Sequence, residues 1–130
     1  MNQAVATSEY SPEVRQRFEQ VPCHGRLPPG GGQRRVGVAG EVSRGARVEF
    51  EARVRAGRVV ECRFQAYGCP HVIAAASWVA EHAQGRAVNE LEWLEPRRLA
   101  ALLGAPAHKL GSLLVVEDAY RACVEAPSEA

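Results

Sequence analysis

The chain has 130 residues, 46% apolar and 24% charged, with 16 basic and 15 acidic side chains and a formal charge of +1. That length supports one domain, expected over residues 1–130, with a proper hydrophobic core. The near-neutral balance excludes a broad nucleic-acid or membrane-facing surface, and no apolar run approaches the roughly 20 residues that span a bilayer.

Met1 to Tyr10 lacks the apolar core of a secretory signal, so a cytoplasmic location is expected. Met1 to Glu9 is polar and expected to be disordered. Ser11-Pro12-Glu13 reads as a helix start, with a capping Ser, Pro at the first position and an acid in the first turn. Val14, Phe18 and Val21 then recur at helical spacing, and Pro22 ends the run. Residues 23–34 read as a flexible loop, centred on Pro28-Pro29-Gly30-Gly31-Gly32.

Strand patterns follow. Arg35 to Val42 predicts a first strand, interrupted by Gly37 and Gly40. Val48, Phe50, Ala52 and Val54 alternate with Glu49, Glu51, Arg53 and Arg55. Ala56-Gly57 makes a turn. Val60, Cys62 and Phe64 then face the core, opposite Glu61, Arg63 and Gln65. The result is a hairpin with one solvated face.

The second half reads as helical. Ile73, Ala76, Val79, Ala80 and Ala83 form a stripe that Gly85 stops. Ala87 to Trp93 predicts a short helix, Pro96 opens another that ends at Gly104, and the last runs from about Leu110 to Val124. Strands first and helices later predict a two-layer α+β fold, a three-stranded antiparallel sheet with helices on one face.

The four cysteines are expected to be reduced, and no Cys-x-x-Cys pair offers a zinc-ribbon or thioredoxin-type motif. Cys62 and Cys123 fall on apolar faces and read as core. Cys23 sits beside His24 in a loop, where both could ligate a metal, though a plain loop thiol is the simpler reading.

Cys69 stands apart, in Tyr67-Gly68-Cys69-Pro70-His71, where the strand pattern gives way to the helix pattern. Gly68 eases the turn and Pro70 suits the first helical position. Cys69 is thus expected to cap a helix whose positive end favours a thiolate. His71 shares that first turn and reads as a solvated histidine that could face the same space. His82 reads as an exposed residue late in its helix. His108 and Lys109 precede the final helix in a loop, where sites concentrate.

The stretch from Phe64 to Leu91, with its Tyr-Gly-Cys turn and small-residue helix, resembles the IscU/NifU N-terminal type of iron–sulfur cluster scaffold. So do Tyr10-Ser11-Pro12-Glu13-Val14 and the tail from Lys109 through Glu117-Asp118-Ala119. The resemblance implies an IscU/SufE-like fold, and iron or a transient 2Fe–2S cluster held through three cysteines. It also implies a cysteine desulfurase, cluster-transfer chaperones and acceptor proteins as partners, for a monomer or weak dimer. Of the three ligand cysteines it implies, only Cys69 is retained. The first falls on Ala39, in Ala39-Gly40-Glu41 where the family has Cys-Gly-Asp, and the third falls on Ser112.

Cluster iron prefers thiolates, normally four per cluster. The sequence therefore points to a divergent scaffold in which Cys69 accepts or relays sulfur, Glu41 helps hold iron, and Lys109 tunes the thiolate. Cys23, His24, His71 and His108 are the substitute metal ligands available. Two other readings are a non-catalytic pseudo-scaffold that regulates a desulfurase or chaperone, and an enzyme using a Cys69–His pair. The enzyme reading is disfavoured, because no orienting group or oxyanion donor is evident.

Overall fold

The computed structural model describes residues 10–125; Met1 to Glu9, expected to be disordered, lie outside them. Helix α1 (Pro12–Gln20) precedes strands β1 (Gln33–Glu41), β2 (Ala46–Arg55) and β3 (Arg58–Tyr67). Helices α2 (Pro70–Ala83), α3 (Pro96–Leu103) and α4 (Leu110–Glu125) follow. The sheet order is β1-β2-β3, antiparallel throughout, with Gly37 opposite Phe50 and Phe50 opposite Phe64. Helix α2 packs on β3, and α4 packs on β1 and β2, so the expected two-layer α+β architecture is present.

The core lies between the sheet and these helices, with Val48, Phe50, Ala52 and Val54 of β2 all buried. Small residues allow α2 to lie close: Ala74, Ala75, Ala76, Ala80 and Ala83 are fully buried. Ala56 and Gly57 both take positive φ, 53° and 75°, the backbone twist that suits a two-residue hairpin turn.

Several local expectations fail for tertiary reasons. Phe18 is exposed because Arg17 takes the inward place on α1, bonding Glu13, Glu81 and the Ser77 hydroxyl. Val60 is exposed because β3 bulges: Glu61 pairs with Arg53 but Val59 pairs with Val54, so Val59 takes the core position. Ile73 is only partly buried, and its neighbour Val72 fills the core instead. His82, expected to be exposed, stacks on Trp78 with ring centroids 4.1 Å apart.

The helix expected over Ala87 to Trp93 is replaced by an extended crossing. Ala87 bridges Arg58, the Val88 amide donates to the Gly57 carbonyl at 2.9 Å, and only Glu92–Leu94 makes a 3-10 turn. The open backbone edge of β3 recruits this segment, and hydrogen bonding to that edge outweighs local helical propensity.

The solvated face of the hairpin is also partly roofed. The segment from Cys23 runs across it before joining β1 at Gln33, two residues earlier than expected. The Leu27 amide donates to Glu51 Oε1 at 2.9 Å, Arg34 Nε donates to Glu51 Oε2 at 2.9 Å, and the Arg53 guanidinium bonds the Pro28 carbonyl. Glu51 and Arg53 are consequently buried.

Candidate functional site around Cys69

Strand β3 ends at Tyr67, and Cys69 is the N-cap of α2 with φ −73° and ψ 169°. Gly68 serves a purpose other than the expected one. A Cβ there would lie 2.9 Å from the Val72 side chain, so the position needs an absent side chain, not an unusual dihedral. Pro70 occupies the first helical position, and the Ile73 amide donates to the Cys69 carbonyl at 3.1 Å. The Cys69 side chain makes no capping bond and is partly exposed. Its sulfur is therefore held at a helix end and left uncommitted.

His71 overturns its expectation as a solvated residue. It is 3% exposed, and neither ring nitrogen has a hydrogen-bond partner. The Tyr10 ring lies 5.0 Å away, tilted by 58°. Burial lowers its proton affinity below the ordinary imidazole value, and the positive charges of Lys109 and His108 lower it further. These two residues form the 3-10 turn Ala107–Lys109 that leads into α4.

Glu41 ends β1 as an exposed residue, with its carboxylate 3.4 Å from Ser43 Oγ and 3.8 Å from Arg44 Nε. It borders an open groove of about 520 Å³, whose other walls include Gly40, Arg44, His108 and Ser112. The fold therefore gathers Glu41, His108 and Ser112 around one groove. Arg44 belongs to that groove and was not singled out from sequence; an isolated arginine in a turn carries no pattern.

Cys23 and His24 lie elsewhere. The Phe64 amide donates to the Cys23 carbonyl at 3.0 Å, and His24 sets its ring edge-on to Phe64 at 5.4 Å. The Pro22 carbonyl accepts from Ser77 Oγ at 2.8 Å. Ser77 is about 12 Å along α2 from Cys69, at 1.5 Å of rise per residue. The Cys23 thiol is pushed up by burial first, and Arg63 opposes that shift. Cys62 and Cys123 are fully buried, as expected of core thiols.

The donor set does not fit a conventional cluster on this chain alone. Among the described residues, no three of His, Cys, Asp and Glu gather closely enough to hold a metal ion. Of the three positions where the resemblance expects thiolates, two carry Ala39 and Ser112.

This sheet-and-helix frame, with a thiol at the Tyr-Gly-Cys turn, defines a class. The chain belongs to the NifU-like N-terminal domain family, whose model matches residues 9–128. It is 35% identical over 96 residues to the bifunctional protein NifU/MnmA of Rubrobacter xylanophilus, covering 71% of this chain but only 20% of that protein. It is 28% identical over 116 residues to the iron–sulfur cluster assembly scaffold protein IscU of Azotobacter vinelandii, covering 88% of this chain and 91% of that one. A solved structure of similar fold is a candidate iron–sulfur cluster assembly scaffold protein for the SUF system from Fervidobacterium islandicum AW-1. Its TM-score is 0.70 at 16% identity, over 89% of this chain and 96% of that one. Among the described residues, no helix is long and apolar enough to cross a membrane.

Proposed function

We propose that this protein takes part in iron–sulfur cluster assembly as a sulfur carrier, with Cys69 as the acceptor. The observation that carries the reading is the Cys69 side chain, partly exposed and free of any capping bond at the start of α2. Family membership supports the assembly context. The missing partner thiols favour sulfur relay over cluster building, because relay needs one nucleophilic sulfur and not a ligand set.

The chemistry balances without a metal. The Cys69 thiolate attacks the outer sulfur of a donor persulfide, of the kind a cysteine desulfurase presents. A new sulfur–sulfur bond forms on Cys69, the donor's own sulfur–sulfur bond breaks, and the donor leaves as a thiolate. Free backbone N–H groups at the start of α2 favour negative charge on the transferred sulfur. Lys109, whose positive charge acts on His71 two residues from Cys69, adds to that field. Glu41 has no part in this step.

Incubation with a cysteine desulfurase and cysteine, followed by intact and peptide mass spectrometry, tests the reading. One added sulfur on Cys69, absent in Cys69→Ser, is expected. No adduct on the native protein, with tight desulfurase binding retained in Cys69→Ser, would replace the carrier with a regulatory pseudo-scaffold. The sites where donors are missing favour that second reading equally, so this experiment separates them.

A further inference from the structure

His71 carries an unmet demand. A neutral imidazole holds one donor and one acceptor, and here both are buried without partners. A buried polar group left without a partner loses its hydration and gains nothing in return. Tyr10 covers the ring at 5.0 Å but makes no hydrogen bond to it. Such orphaned groups call for an explanation, and an ion or ordered water at the site is a common one.

The surroundings select the sign of that ion. Lys109 and His108 are the charged groups that act on His71, and both are cationic or potentially so. His71 itself stands in the first turn of α2, a helix of 14 residues with no acidic residue in that turn. Cys69 leaves the N-terminal amides uncapped. Helix α4 begins directly after Lys109, and it too has no acidic residue in its first turn. N–H donors, a buried imidazole and a lysine whose charge acts on it together favour an anion.

We propose that His71, Lys109 and the first turn of α2 form a binding site for a small oxyanion of the phosphate or sulfate class. The imidazole N–H and the α2 amides donate to its oxygens, Lys109 balances its charge, and His108 stands at the rim. The site draws on the same α2 amides and Lys109 as the sulfur-carrier reading, but binding of the anion needs no sulfur on Cys69.

The test is a titration of the full chain with sodium sulfate and, separately, inorganic phosphate, at ionic strength held constant with chloride. Nitrogen-15 NMR follows the His71 ring and the amides of His71 and Val72. Saturable shifts are expected, with apparent affinity falling about tenfold or more in Lys109→Ala and in His71→Phe. Arg97→Ala, at an exposed position on α3, keeps native affinity. The titration uses protein that has met no sulfur donor, so the anion binds whether or not Cys69 accepts sulfur, which separates this result from the fate of the sulfur-carrier reading. Linear, unsaturated shifts, or saturation that survives in Lys109→Ala, overturn the proposal. Lys109 is on the surface turn, so that variant decides the matter even where His71→Phe fails to fold.

Discussion

Gly37 and Cys123 are in backbone contact. A Cβ on Gly37 would stand 2.0 Å from the Cys123 amide nitrogen and 2.6 Å from the Ala119 carbonyl oxygen. Helix α4 therefore lies directly on β1, and this approach sets where Ser112 and Lys109 sit relative to Glu41. Gly37→Ala is expected to destabilise the protein by about 3 kcal/mol or more, because both sides of the contact are backbone and neither can rotate away. Urea denaturation checks this; a midpoint within error of the native protein would show that α4 can slide.

Glu51 fastens the segment that roofs the sheet. Its buried carboxylate accepts from the Leu27 amide and from Arg34. Glu51→Gln keeps the shape and removes the charge, and is expected to cost about 2 kcal/mol, between an exposed and a fully buried pair because Arg34 is partly solvated. Hydrogen exchange at the Leu27 amide should accelerate more than exchange in β2. Unchanged protection at Leu27 would mean that Arg53 and Pro28 hold the roof without it.

On the proposed reading, Ala39 and Ser112 stand where the family resemblance expects thiols, so placing thiols there should restore metal chemistry. Ala39→Cys combined with Ser112→Cys is expected to yield visible absorbance after anaerobic reconstitution with iron and sulfide. The native protein should stay colourless under the same conditions. A colourless double variant would show that the geometry around Cys69, and not the count of thiolates, is what has changed.

Alkaline pH should weaken the fold through its buried acids. Burial pushes the Cys123 thiol up to about 12 from 9.0, and drives Cys62 and the Tyr120 phenol upward as well. The folded protein then holds protons that the unfolded chain releases. This contribution is whole below about pH 9 and is lost as pH rises toward 12. Urea midpoints at about pH 8 and about pH 10 should fall in that order, and Cys123→Ala should flatten the decline. A slope unchanged by that variant would move the effect onto the other two groups.

Much of this was legible along the chain. The sequence puts Cys69 at a helix start because a strand period of two meets a helical period at Gly68-Cys69-Pro70, and both periods are local properties. Ser11 reads as a cap from its neighbours alone, and its hydroxyl does accept from the Val14 amide at 3.2 Å. The Tyr-Gly-Cys turn and the Glu-Asp-Ala block point to the family, and Ala39 and Ser112 stand in this sequence where that resemblance expects thiols. The burial of His71 is not legible locally: Tyr10, which covers its ring, and Lys109 and His108, whose charges act on it, are distant in sequence. The bulge that expels Val60, and the edge of β3 that captures Ala87, are likewise pairings between separated segments.

What the sequence determined by itself was the order and type of most elements, and the single thiol at a helix mouth, because periodicity, caps and turn residues act over a few positions. What only the tertiary structure decided was which polar groups became buried, which ligands came together and which stayed apart. Those outcomes depend on where the sheet edge, the roofing segment and the start of α4 meet, and that meeting is set by packing across the whole chain.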